Sequence, residues 1–250
     1  MASASIGRAD FLGSVRVATR VVAMLAALLL ALPFHGLWRV VRAPSPWPMW
    51  LLAAVGWIAG ARRRTVGRPL RRDVFFVSNH LSWLDIPVLA GRNGSAFIAK
   101  GELARVPLIG WLCRLNRTVF VDRAARMDIA RQIETVRAAL ADTWAITIFP
   151  EGTTGDGHGL RPFKASLLAV LDPPPPGVMV QPVLIDYGAA TPEIAWTGDE
   201  PGLDNARRIL SRGGRFTVTL TFLEPFDPAG FPGRKAVAAE ARRRMEAALA

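Results

Sequence analysis

From residue 73 onward, short apolar runs alternate with stretches of helical period, and no other feature narrows the fold so sharply. The strand-like runs cover 74–78, 96–99, 118–121, 144–149, 178–185 and 216–222. Helix-like stretches lie between and after them at 86–90, 101–115, 126–141, 163–171 and 236–249. In 126–141, Ile129, Ile133, Val136 and Leu140 recur at three- and four-residue spacing, the stripe of a helix buried on one side. The stretch 163–171 ends at Asp172-Pro173-Pro174-Pro175-Pro176-Gly177, a stiff turn that no helix crosses. Strands alternating with helices predict an α/β fold: a mixed, largely parallel sheet flanked by helices.

The first 64 residues read differently. An unbroken apolar run covers 21–34 and extends to Trp38 if His35 and Gly36 are accepted. At 1.5 Å per residue, eighteen helical residues reach roughly 27 Å, barely the thickness of a bilayer core. A second apolar block covers 47–61. Arg16 and Arg20 precede the first block, Arg62, Arg63 and Arg64 follow the second, and Arg39 and Arg42 lie between. A cleavable signal peptide would leave the second block without a role. Two full spans would place both arginine-flanked ends in the cytoplasm. A re-entrant or interfacial pair would use both short blocks, with Trp38, Trp47, Trp50 and Trp57 at headgroup depth. A soluble packing pair is the fourth arrangement. The pattern predicts a membrane-associated helical pair over 1–64 and an α/β domain over 65–250. The domain is expected to face the cytoplasm at the inner membrane.

Charge narrows the partners. Lys and Arg total 31 against 20 acidic residues in 250, a formal net charge of +11, and all but Lys100, Lys164 and Lys235 of the cations are arginine. Such a balance favours anionic partners: nucleic acid, acidic lipid surfaces or phosphorylated substrates. Cys113 is the single cysteine, so no internal disulfide forms. No Gly-x-Ser-x-Gly elbow, Walker loop or Cys/His metal spacing occurs, so neither an elbow serine nor a bound metal is expected.

Two polar signatures follow apolar runs: Asn79-His80-Leu81-Ser82-Trp83-Leu84-Asp85, and Phe149-Pro150-Glu151-Gly152-Thr153-Thr154. In open α/β sheets, ligands bind where strands run out into such loops. On an ideal helix, His80 and Asp85 would point about 140° apart. With His80 in a loop and Asp85 in the first helical turn, the chain can curl back. Asp85 can then hold Nδ1–H and leave Nε2 as a base. Alone, the pair reads equally as a loop histidine beside a capping carboxylate. Glu151 is either a strand-end ligand for a polar group or an incidental acid in a turn. Lys100, Arg123 after Phe120-Val121-Asp122, and Arg161 are candidate anion binders.

Taken together, these blocks resemble the glycerolipid acyltransferase family. Asn79-His80 to Asp85 is similar to its His-x4-Asp motif. The second block is Lys100-Gly101-Glu102-Leu103 with Pro107, Gly110 and Phe120-Val121-Asp122-Arg123. The third is Phe149-Pro150-Glu151-Gly152-Thr153, and the fourth is Val180-Gln181-Pro182-Val183. The resemblance covers about residues 74 to 186. It implies acyl transfer from an acyl carrier protein or coenzyme A thioester to a lysolipid hydroxyl, with membrane lipids as further partners and neither a cofactor nor nucleic acid. His80 would be the base and Asp85 its orienter. Asn79, Ser82, Lys100, Arg123, Glu151, Gly152, Thr153, Thr154 and Arg161 would bind substrate. Backbone N–H groups near Gly152 would meet the oxyanion. Phosphatidate-forming members often carry arginine directly after Glu-Gly-Thr, where this chain has Thr154. The expected acceptor is 1-acylglycerol-3-phosphate, with lyso-ornithine lipid as the alternative. A lipid-binding protein without activity is a further one.

Overall fold

The computed structural model describes residues 2–42, 45–121, 134, 136, 138 and 145–249, and their side chains except at 2–10, 100 and 121. Seven strands form one sheet among the described residues: β1 (Ala61–Val66), β2 (Val74–Ser78), β3 (Ala96–Lys100), β4 (Val119–Val121), β5 (Ala145–Ile148), β6 (Met179–Asp186) and β7 (Phe216–Phe222). Their order is β1-β7-β6-β2-β5-β3-β4, and every neighbouring pair is parallel except β6 and β7. The sheet is mixed and largely parallel, as the alternation predicts.

β2 shows why. All five of its residues are buried, and Val74 and Phe76 join one core while Phe75 and Val77 join the other. A strand with no polar face must be covered on both sides. On one side lie α3 (Asp85–Asn93), through Val88 and Leu89, and a later helix (Gly202–Ser211), through Ile209. On the other side lie Leu168 and Leu171 of a 3₁₀ segment (Ala165–Leu171), with Val237 and Ala241 of the C-terminal helix (Gly233–Leu249).

Several local outcomes differ from the sequence reading: the helix Gly202–Ser211 was not expected, and the stretch read as helix over 163–171 is 3₁₀. Residues 101–115 divide into a 3₁₀ turn (Gly101–Arg105) and helix α4 (Pro107–Leu115), because Pro107 is suited to open a helix. β1 runs through residue 64, inside the stretch read as the end of the helical pair. It is an edge strand, and edges tolerate the exposed Arg62, Arg63 and Arg64. The predicted helix 126–141 lies outside the described residues except Glu134, Val136 and Ala138, which are helical, with Val136 buried.

The N-terminal pair is helical. α1 (Ala2–Val40) contains one stretch, Phe11–Val40, long and apolar enough to cross a membrane, and α2 (Trp47–Ile58) is shorter. Phe34 stacks on Trp47 at 4.6 Å and Trp47 meets Trp50 edge-on at 5.1 Å, fastening the hairpin. Val22, Leu25, Leu29, Leu30 and Leu37 of α1 stay exposed. α2 packs closely on α3: a Cβ added at Gly91 would stand 2.6 Å from the Ala53 backbone.

Candidate functional site

Parallel pairing fixes the site. Val77 of β2 sits opposite Ile148 of β5, and Ser78 opposite Val183 of β6. The loops beginning at Asn79, Phe149 and Tyr187 therefore leave one edge of the sheet side by side. β3 is parallel to β5, so Lys100 also ends at that edge.

Asp85 is the first residue of α3 and is completely buried. Residues 79–84 are not helical, so the chain curls back over it. Its Oδ2 accepts the Leu81 N–H at 2.6 Å and the Ser82 N–H at 2.9 Å, and it lies 2.8 Å from His80 Nδ1. A carboxylate only accepts, so Nδ1 carries the proton, and the Nε2 lone pair has no partner among the described residues. The imidazole also stacks on Phe149, 4.0 Å between centroids and 9° from parallel. Two contacts at right angles to each other thus fix the ring, and 19% of its side chain remains open to solvent.

Tyr187 completes the arrangement, and the sequence reading missed it. Its hydroxyl donates to Asp85 Oδ1 at 2.7 Å from full burial. Burial first, then the charge of Asp85 and the hydrogen bond to it, hold the phenol well above its ordinary range, so it stays a donor. Tyr187→Phe leaves Oδ1 without its donor. We expect a stability loss of about 1–3 kcal/mol. Turnover should fall about tenfold at unchanged KM, because the phenol meets Asp85 rather than substrate. Thermal melts and initial rates check both.

Glu151 is 3% exposed, and its Oε1 has no hydrogen-bond partner among the described residues. Its carboxylate accepts from the backbone N–H groups of His80 and Arg161. Burial pushes its pKa up to about 7; those two N–H groups and the Arg161 charge oppose the rise, while Asp85 adds to it. A carboxyl more basic in the folded chain than in the unfolded one stabilises most at low pH. That contribution is full below about 4.5 and disappears as the pH rises through about 7. The difference in thermal midpoint between wild type and Glu151→Gln should therefore shift against the wild type between those pH values and level off above. A constant difference would refute this titration.

The other candidates divide. Asn79 spends its amide on β6, donating to the Ile185 carbonyl at 2.9 Å and accepting its N–H at 2.8 Å. Ser82 Oγ accepts the Leu84 N–H at 3.3 Å, shaping the turn before α3. Of the backbone N–H groups near Gly152 expected to meet an oxyanion, that of Gly152 itself donates to the Phe149 carbonyl at 3.1 Å. Gly152 itself has φ +72°, which favours glycine. Thr153 is exposed, and the Thr154 hydroxyl donates to the Trp196 carbonyl. Arg161 Nη1 donates to the Thr154 carbonyl at 3.3 Å, so a cation stands beside the position where arginine was expected. Arg123 lies outside the described residues, as does the side chain of Lys100. The loop is tied down by the Gly155 N–H, which donates to the His80 carbonyl at 2.7 Å.

Known proteins share this arrangement of sequence and fold. Residues 62–186 match the family model described as Acyltransferase. A lyso-ornithine lipid O-acyltransferase of Brucella abortus is 34% identical over 257 residues, spanning 95% of each chain. One from Rhodobacter capsulatus is 33% identical over 245 residues, 91% of this chain and 87% of that one. A 1-acyl-sn-glycerol-3-phosphate acyltransferase of Neisseria gonorrhoeae is 39% identical over 105 residues, 41% of each. The crystal structure of the 1-acyl-sn-glycerophosphate (LPA) acyltransferase PlsC from Thermotoga maritima superposes with a TM-score of 0.62 at 25% identity, covering 94% of this chain and 98% of that one. Matched across half its length by the family model and along nearly all of it by relatives above 30% identity, the chain belongs to the acyltransferase family.

Proposed function

We propose that this protein moves a fatty acyl group from an acyl carrier protein or coenzyme A thioester to the hydroxyl of lyso-ornithine lipid at the inner membrane. One observation carries the chemistry: an imidazole held by a buried carboxylate through Nδ1, with Nε2 unpartnered among the described residues. Nε2 takes the acceptor's hydroxyl proton while the oxygen attacks the thioester carbonyl. The tetrahedral intermediate collapses, the C–S bond breaks, and the imidazolium returns its proton to the departing thiolate. Asp85 stabilises the imidazolium between the two steps.

The acceptor departs from the first expectation. Relatives named lyso-ornithine lipid O-acyltransferase match nearly the whole chain at 33–34% identity, whereas the Neisseria relative named for 1-acyl-sn-glycerol-3-phosphate matches 41% of it and PlsC, matched over 94% of it, is 25% identical. Glu151 supports the same acceptor: a buried carboxyl with a free Oε1 suits the ammonium of a zwitterionic headgroup. The second reading, 1-acylglycerol-3-phosphate, is favoured by Arg161 beside Thr154. The exposed apolar face of α1 supports delivery of either acceptor from the bilayer. Purified protein given lyso-ornithine lipid, 1-acylglycerol-3-phosphate and lysophosphatidylcholine, each with both thioester donors, decides between them. We expect kcat/KM for lyso-ornithine lipid to exceed the others by at least about tenfold, and higher turnover of the phosphate acceptor would reverse the assignment. No transfer to any of the three would return the chain to lipid binding without activity.

A further inference from the structure

Arginines gather where the helical pair meets the sheet, around a cavity that His80, Asp85 and Glu151 do not line. A cavity of about 330 Å³ lies there between α1, α2 and the turn entering β7, lined by Thr19, Arg20, Ala23, Trp57, Gly60 and Arg215 among others. Arg20 is fixed in its wall, because Nη1 donates to the Leu210 carbonyl at 2.9 Å. Arg215 lies over the Trp57 ring at 4.5 Å. Arg16 donates to the Ser211 carbonyl at 3.4 Å, and the charges of Arg16, Arg212 and Arg215 all act on Arg20. Glu193 meets Arg212 at 2.5 Å. Arg16, Arg20 and Arg215 form no ion pair among the described residues.

Two guanidinium groups, Arg20 and Arg215, line this cavity, and Arg16 adds its charge from the same end of the helix Gly202–Ser211. The carbonyls at that helix end answer part of the charge of Arg16 and Arg20, and an entering anion relieves what repulsion is left. Guanidinium groups match phosphate oxygens in pairs. The chemistry beside the cavity is apolar: Val22 and Leu25 of α1 and Trp57 of α2 are exposed. Among the described residues no carboxylate lines the cavity to receive a choline or ethanolamine cation, and one face of Trp57 is already covered by Arg215. β7 runs antiparallel to β6, so Gly214 and Arg215, just before its first residue, lie toward the sheet edge where β2 and β6 end.

We propose that this cavity binds the phosphate of an anionic phospholipid such as phosphatidylglycerol, with the acyl chains along α1, as a site separate from the acceptor site. The bound lipid would set the depth at which the catalytic edge meets the bilayer. The proposal rests on the membrane reading above.

The test uses the full chain purified in detergent. Dihexanoylphosphatidylglycerol, dihexanoylphosphatidylcholine and inorganic phosphate are titrated separately, reading thermal midpoint and tryptophan fluorescence. Arg215→Gln is compared with Arg243→Gln, which removes the same charge from the C-terminal helix, where Arg243 is paired with Glu240. We expect the phosphatidylglycerol affinity to weaken at least about tenfold in Arg215→Gln and to stay within about twofold of wild type in Arg243→Gln. Equal losses, no loss, or phosphatidylcholine bound as tightly as phosphatidylglycerol overturns the site. Saturation by inorganic phosphate at comparable concentration overturns its lipid nature. Flotation of wild type reconstituted with phosphatidylcholine vesicles tests the membrane reading separately, and its failure there leaves the titration to decide the cavity.

Discussion

Replacing His80 by alanine should lower acyl transfer at least about a hundredfold and leave the protein folded. The substitution removes the group whose Nε2 would accept the hydroxyl proton. It also removes the stacking on Phe149 and one of the donors to Asp85. The structural cost is bounded, because Asp85 keeps the Leu81 and Ser82 N–H groups on Oδ2 and the Tyr187 hydroxyl on Oδ1. The buried charge therefore stays hydrogen-bonded, and the loss of stability should be about 1–2 kcal/mol. Thiol release from the thioester donor measures the rate, and thermal melting measures the fold. Wild-type turnover in a folded His80→Ala protein would remove the base assignment. KM should move little, because the imidazole acts on the proton in flight rather than on the bound headgroup.

The sequence exposes this site unevenly, for physical reasons. Strand ends are readable because a buried parallel strand must be apolar throughout, and 74–78 and 145–148 both are. What no periodicity states is which strands are neighbours. That β2 lies between β5 and β6 brings His80, Phe149 and Tyr187 together, and such pairing is set by packing over long sequence separations. Tyr187 was hidden because a tyrosine closing an apolar run looks like core, which by burial it is. Asn79 misled in the opposite direction. A polar residue beside a motif histidine reads as a ligand contact, yet its amide belongs to the Ile185 backbone. The arginines of β1 read as a membrane flank because charge marks a boundary as well as it marks a sheet edge. Arg161, a candidate anion binder in the sequence, reaches Thr154 through the fold of the residues between them, which have no period to follow.

Asp85→Asn should separate orientation from structure. The amide has one acceptor oxygen where the carboxylate has two. If that oxygen faces Leu81, Ser82 and His80, the NH2 meets the Tyr187 hydroxyl, which can turn to accept. The reverse orientation would set NH2 against three donors, so the first should be adopted. The loop then keeps its hydrogen bonds and loses only their charge assistance, about 1–3 kcal/mol. Catalysis loses more. The imidazolium formed during attack no longer faces an anion, and turnover should fall on the order of 10²–10⁴-fold. Asp85→Ala is a different lesion: it strands buried donors and should destabilise by about 3–5 kcal/mol, so its rate would mix unfolding with chemistry. The double variant His80→Ala/Asp85→Asn isolates the route. If Asp85 acts through His80, the pair should be no slower than His80→Ala alone, because the imidazolium that needed the carboxylate is gone. Losses that multiply would mean that Asp85 touches the reaction by another path, and the pairing of 80 with 85 would no longer explain the rate.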